Sequence, residues 1–243
     1  AGARAIKTNT FGLGAELAQG NEALAGELIA AASRLALEAA APYGALVFAD
    51  LGPVPGDSPR DPGELFIRQA ERFLRAGVTH FLAETLSNGE GLAALAAWLG
   101  ERCPGAFLIA SFAVGPDGFT REGLPGRALL EEAAALPGVD AVGLNCMSGP
   151  HHLLSLVRGL RLGDTPLSVM PNAGYPTVLG RRTVYQGTPD YFARQMVQIL
   201  RAGASIVGGC CGTTPEHIAR LAALLREEHI PRPAPAPTAA PAP

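Results

Sequence analysis

The feature that most constrains this chain is an alternation of short apolar runs with longer helical stretches. The runs cover residues 4–11, 45–51, 79–85, 106–113, 141–146, 167–172 and 205–210. Most are continuously hydrophobic, as in FLAET, FLIASF, AVGLNC and SIVGG. Continuous rather than alternating hydrophobicity is the habit of strands buried on both faces, which is the condition of a parallel sheet. Helical patterns fill the intervals. Residues 21–40 carry apolar side chains at helical spacing with Pro42 just beyond, and residues 64–76 do the same with Gly77 as a stop signal. Thr188-Pro189-Asp190 and Thr214-Pro215-Glu216 each read as a cap, a proline at the first helical position and an acid in the first turn.

Repeated βα units build either an open doubly wound sheet or a closed barrel. No glycine-rich phosphate or dinucleotide loop follows any run, which removes the usual signature of the open sheet. The polar residues able to do chemistry stand at the C-terminal ends of different strands: Asn9, Asp50, Glu84, Cys146, Asn172 and Cys210. That placement is the barrel pattern. Seven strands are counted where a (β/α)8 TIM-type barrel needs eight, so the expectation is such a barrel lacking its first βα unit in these residues. Residues 1–230 are expected to form the barrel. Residues 231–243, PRPAPAPTAAPAP, cannot build a core and are expected to be an extended linker or tail.

Composition narrows the function. With 48% hydrophobic residues, 17% charged and a net charge of −3, the chain has material for a large core and no basic stripe for nucleic acid. No apolar run reaches the ~18 residues of a membrane span, and residues 1–10 read as a strand rather than a leader. Four cysteines in 243 residues are not a disulfide scaffold. The expected setting is a reducing cytoplasm.

The densest chemical signal is Gly208-Gly209-Cys210-Cys211-Gly212-Thr213-Thr214-Pro215. Adjacent residues of a regular strand face opposite ways, so both thiols reach one point only where the strand has ended. The helix expected from Thr213 or Thr214 turns its positive end toward them, which favours thiolates. Cys146 ends another strand on the same rim. Three thiolates suit zinc, with the fourth position left open as in catalytic sites. No CxxC-type spacing supports the metal, so buried packing cysteines or a vicinal disulfide remain alternatives on spacing alone. Cys103, before Pro104 in a helix-to-strand loop, belongs to the opposite end. The five histidines make no metal pattern.

The stretches GLNC, MPNAGYP and GGCCGTTPEHI, with TNTFG near the start and the strand end AET, closely resemble the homocysteine S-methyltransferase family. The resemblance runs from residue 1 to the last helix. It implies a (β/α) barrel that binds zinc on Cys146, Cys210 and Cys211 and takes homocysteine as methyl acceptor, forming methionine. It further implies that Glu84 contacts the substrate's ammonium, with Thr85 in support, and that Asn172 lies beside the metal. Asn9 is a rim residue of the same candidate site. Residues 175–192 look most like members fused to a methylenetetrahydrofolate reductase. The N-terminal module of a cobalamin-dependent methionine synthase is the alternative, followed by a stand-alone enzyme with a methylsulfonium or betaine donor. The methyl donor, methyltetrahydrofolate or methylcobalamin, is then expected on another domain of the same polypeptide. Family members begin with a strand ending in an Asp-Gly loop that helps hold the amino acid, and these residues contain no counterpart. A reading of another class is a thiol redox or metal-sensing module built on Cys210 and Cys211.

Overall fold

The computed structural model describes residues 1–56 and 58–230, so the tract expected to be a linker lies outside the described residues. Among these described residues nine strands form: β1 (Ala5–Lys7), β2 (Leu46–Leu51), β3 (His80–Leu86), β4 (Phe107–Phe112), β5 (Ala141–Asn145), β6 (Leu167–Met170), β7 (Pro176–Leu179), β8 (Arg182–Tyr185) and β9 (Ile206–Val207). Seven make one sheet in the order β1-β2-β3-β4-β5-β6-β9, every neighbouring pair parallel. β7 and β8 pair antiparallel as a separate hairpin between β6 and the next helix.

Helices supply the crossovers. α1 (Leu13–Ala18) and α2 (Glu22–Ala40) join β1 to β2, and α3 (Pro62–Arg75), α4 (Leu92–Arg102), α5 (Gly126–Ala134) and α6 (Pro150–Val157) follow β2 to β5 in turn. α7 (Pro189–Arg201) follows the hairpin and α8 (Pro215–Glu227) follows β9. Asp61 caps α3 by accepting from the Glu64 N–H at 2.9 Å, and Thr188 caps α7 by accepting from the Tyr191 N–H at 3.3 Å. Each cap answers one of the orphan donors of a helix start.

Strand alternation separates two packing layers. Val47, Ala49, Phe81, Ala83, Leu108, Ala110, Val142 and Val169 belong to the main core, which they share with α3, α4, α6 and α7. Their sequence neighbours Phe48, Leu82, Ile109 and Ala141 instead gather in a second cluster with Phe107, Met170 and Ile206. Those residues come from six strands of one sheet face, and they meet only if that face is concave. The sheet is therefore curled: an open half-barrel flanked by helices, consistent with an incomplete (β/α)8 barrel, with β1 and β9 as its edges.

Two expected strands are shorter than their apolar runs. β1 stops at Lys7 because Asn9 turns to φ 58° and the chain folds back through the Leu13 N–H to Thr10 carbonyl bond. β9 keeps only Ile206 and Val207 before the glycine pair begins. No described helix is long and apolar enough to cross a membrane.

Candidate functional site

Two residues beyond the inner apolar layer, on the same concave face, the strands turn polar. Phe48 is followed at that period by Asp50, Leu82 by Glu84, Ile109 by Ser111 and Gly143 by Asn145. All four are buried. Lys7 joins them from β1, since it is in register with Phe48 and so shares its face.

Asn145, fully buried, is the hub of this layer. Its Oδ1 accepts from the Thr85 N–H at 2.9 Å and the Ser111 hydroxyl at 2.8 Å. Its Nδ2 donates to Thr85 Oγ1 at 2.8 Å and approaches Glu84 Oε2 at 3.5 Å. Thr85 sits at φ 62°, where β3 shifts register against β4, and the paired bonds from Asn145 hold that left-handed turn. The other oxygen of Glu84 takes the Lys7 ammonium at 2.5 Å, and Asp50 Oδ2 lies 3.8 Å from the same nitrogen. Burial, then the charge of Glu84, pushes the Asp50 carboxyl up to about 7 against the pull of Lys7. Burial works against the Lys7 ammonium, yet Asp50 and Glu84 together raise its pKa above the ordinary lysine value.

The three rim cysteines converge beside this layer. Cys146 follows β5 and Cys210 follows β9, with β6 between them. Cys146 and Met147 both adopt positive φ, 58° and 47°, which turns the thiol off the strand direction. The sulfurs of Cys146, Cys210 and Cys211 all lie within 4.8 Å of one another. The loop before the hairpin ties the two cysteine segments together. Cys146 N–H donates to the Met170 carbonyl at 3.1 Å, and Cys210 N–H donates to the Pro171 carbonyl at 2.8 Å. Asn172 Oδ1 accepts from the Cys211 N–H at 3.1 Å, and Ala173 N–H returns a bond to the Cys211 carbonyl at 2.9 Å.

Glycine is required at two points of this loop. A Cβ on Gly209 would lie 2.3 Å from Thr213 Cγ2, and one on Gly212, at φ 77°, would lie 2.3 Å from Tyr185 Cγ. The Tyr185 ring, carried by the hairpin, thus closes over the turn that carries Cys211. Beyond the turn, buried His217 accepts from the Thr214 N–H at 3.2 Å through Nδ1 and donates to the Gly187 carbonyl at 2.8 Å through Nε2. One neutral tautomer satisfies both bonds, so this histidine locks the start of α8 rather than serving a ligand.

The donor set fits a soft divalent cation. A tetrahedral ion with Zn–S bonds of about 2.3 Å puts its sulfurs about 3.8 Å apart. Cys146 and Cys211 stand at 3.7 Å, far beyond a disulfide bond, and all four cysteines are free. The protonation pattern differs from the expected helix-favoured thiolates. A bond from the Cys210 thiol, opposed by burial and helped by the Met147 N–H, draws Cys146 down to about 6. The Cys210 thiol is held up by that same bond and by burial, and Cys211 is held up by burial and the charge on Cys146. Hydrogen bonding among the thiols and burial thus gather the negative charge on Cys146, and a cation held by all three sulfurs would favour the thiolate form of each.

Glu84, Thr85, Asn172 and the three cysteines therefore share one end of the sheet. Asn9 is at the same rim, exposed, and lines a cavity of about 150 Å³ with Leu28 and Ala32 of α2. Lys7, Ser111, Asn145 and Tyr185 were not singled out from sequence. A lysine in a strand otherwise read as buried, and an asparagine directly before Cys146, were the available signals.

The chain matches the family described as Homocysteine S-methyltransferase over residues 1–225. It is 47% identical over 91 residues to the methionine synthase of Mycobacterium tuberculosis and 46% identical over 91 residues to that of Mycobacterium leprae. Each alignment covers 35% of this chain and 7% of the relative's length. The metallated form of the homocysteine methyltransferase MmuM from Escherichia coli superposes with a TM-score of 0.70 at 28% identity, covering 92% of this chain and 80% of that one. Its oxidized form gives 0.67 at 27% identity, covering 93% and 80%.

Proposed function

The chain belongs to the homocysteine S-methyltransferase family, and we propose that it transfers a methyl group to the thiol of homocysteine, forming methionine, with zinc held by Cys146, Cys210 and Cys211. The observation that carries this reading is the convergence of three free thiols within 4.8 Å at the open end of the half-barrel, beside a buried carboxylate.

Zinc in such a site supplies the Lewis acidity that keeps a substrate thiol deprotonated near neutral pH. The chain's residues do the rest. Glu84 accepts the substrate's ammonium on Oε2, which has only the long 3.5 Å contact to Asn145. Asn145 fixes Glu84 and Thr85 against β4, and Asn172 holds the Cys211 turn so that its thiol points at its partners. The substrate loses its thiol proton to solvent on binding. Its sulfur lone pair then forms the S–CH3 bond, while the donor–CH3 bond breaks and its electron pair stays with the donor.

The donor we propose is methyltetrahydrofolate or methylcobalamin carried by another domain of a longer polypeptide, with residues 231–243 as the connecting tract. The alignments to 7% of two methionine synthases support that setting. Metal analysis of the purified protein should return about one zinc per chain, and X-ray absorption at the zinc edge should show one more sulfur neighbour when homocysteine is added. A metal-free protein whose Cys210–Cys211 pair oxidises readily, or an unchanged zinc shell, would overturn the proposal in favour of a redox module.

A further inference from the structure

We propose that Lys7 is a specificity-determining residue that binds the substrate's carboxylate, so that Lys7 and Glu84 together form a clamp for an α-amino acid zwitterion. This rests on the methyl-acceptor reading above and assigns the half of the substrate that Glu84 and the thiols leave unbound.

The clamp is visible in what each charge lacks. A lysine ammonium has three N–H donors. Glu84 Oε1 takes one at 2.5 Å, and Asp50 at 3.8 Å lies beyond hydrogen-bond length. The Lys7 side chain is 34% exposed while its two acidic neighbours are 3–4% exposed, so the ammonium stands nearer solvent than either acid, with two donors left over. Glu84 in turn has one committed oxygen and one with only the 3.5 Å approach of Asn145. An unfilled cation and an unfilled anion therefore lie side by side, and the ammonium and carboxylate of an α-amino acid are likewise neighbours on one carbon.

Two further observations separate this from a closed structural ion pair. Asp50 Oδ1 is buried without any hydrogen-bond partner, so the network retains an open acceptor instead of satisfying itself. Asn145, whose Nδ2 approaches Glu84 Oε2 at 3.5 Å, directly precedes Cys146, which places the pair next to the thiols that the substrate's sulfur must reach. A charged lysine on the concave face of a sheet is costly to desolvate, and Glu84 answers only one of its three donors.

The test is calorimetric titration of the zinc-loaded protein with two ligands, homocysteine and 3-aminopropane-1-thiol, which has the same thiol and ammonium but no carboxylate. Wild type should prefer homocysteine. Lys7→Met should weaken homocysteine roughly 10- to 100-fold, as expected for a lost charge-assisted hydrogen bond, and leave the aminothiol within about threefold. Lys7→Arg should keep most of the preference. Equal weakening of both ligands would make Lys7 a prop for Glu84 and overturn the clamp; tighter binding of both would make it an obstruction and also overturn it. Should Lys7→Met fail to fold, Lys7→Gln, which keeps a neutral polar head, carries the same comparison. A wild type that binds neither thiol removes the methyl-acceptor reading itself, an outcome distinct from loss of the clamp alone.

Discussion

Replacing Asp50 by asparagine should make the protein more stable at pH 8 and slightly less stable near pH 5. Asp50 is 2% exposed, its Oδ1 has no partner, and its Oδ2 lies 3.8 Å from the Lys7 ammonium, with the Glu84 carboxylate close by. Burial and Glu84 raise its pKa from 3.8 to about 7. Between those values the folded protein keeps a proton that the unfolded chain has lost. Stability from this group is therefore complete below about pH 4, falls as pH rises through about 7, and is level above. At 1.36 kcal/mol per pH unit the whole span is on the order of 4 kcal/mol. Asparagine never ionises, but its amide must still find partners and Lys7 loses one of two acids. A net gain of about 2 kcal/mol at pH 8 is the expectation.

The measurement is urea unfolding of both proteins at several pH values from 5 to 8, without metal and under reductant, followed by far-ultraviolet circular dichroism. Titrations of the cysteines and of carboxylates remote from Asp50 are common to the two proteins and cancel in the difference, which leaves Asp50 with its neighbours Glu84 and Lys7. Parallel stability–pH curves, or an asparagine variant less stable at every pH, would refute the account of Asp50 as a carboxylate held out of water against Glu84.

Cys211→Ala should lower zinc from about one per chain to near none by metal analysis, and restoring zinc to the parent at a hundredfold over its dissociation constant should raise unfolding stability by about 2.7 kcal/mol. Asn145→Ala should cost roughly 2–4 kcal/mol in urea unfolding, because it leaves the Thr85 N–H and the Ser111 hydroxyl without their acceptor in the buried layer. Gly212→Ala should lose zinc affinity through both its φ of 77° and the 2.3 Å approach to Tyr185, and adding Tyr185→Gly, which also removes the Cβ 2.4 Å away, should recover only the steric part. Full recovery, read by competition with a chromogenic chelator, would show that the backbone angle carries no cost there.

The legible parts of this molecule are those governed by local period. The apolar runs predicted all seven parallel strands because a strand covered on both faces cannot alternate, and Thr188 and Thr214 marked helix starts because a cap is written in three or four adjacent residues. The β7–β8 hairpin escaped notice although Gly180, at φ 63°, sits in the two-residue loop between Leu179 and Arg182 and is flanked by Val, Thr and Tyr. Its strands are mostly exposed, so no continuous hydrophobic run announces them. The cysteines were legible by type, since sulfur at strand ends has few structural uses. Lys7 and Asn145 were not, because their roles depend on register: Lys7 faces the cup only because it aligns with Phe48, and Asn145 reaches Thr85 across 60 residues only because β4 sets β3 and β5 two strands apart. Side-chain period is encoded in one strand, but which strand lies alongside, and at what offset, is decided by the closing geometry of the whole sheet. The half of the site built from thiols could thus be read residue by residue, and the half built from Lys7, Glu84 and Asn145 becomes visible only once the strands are laid in order.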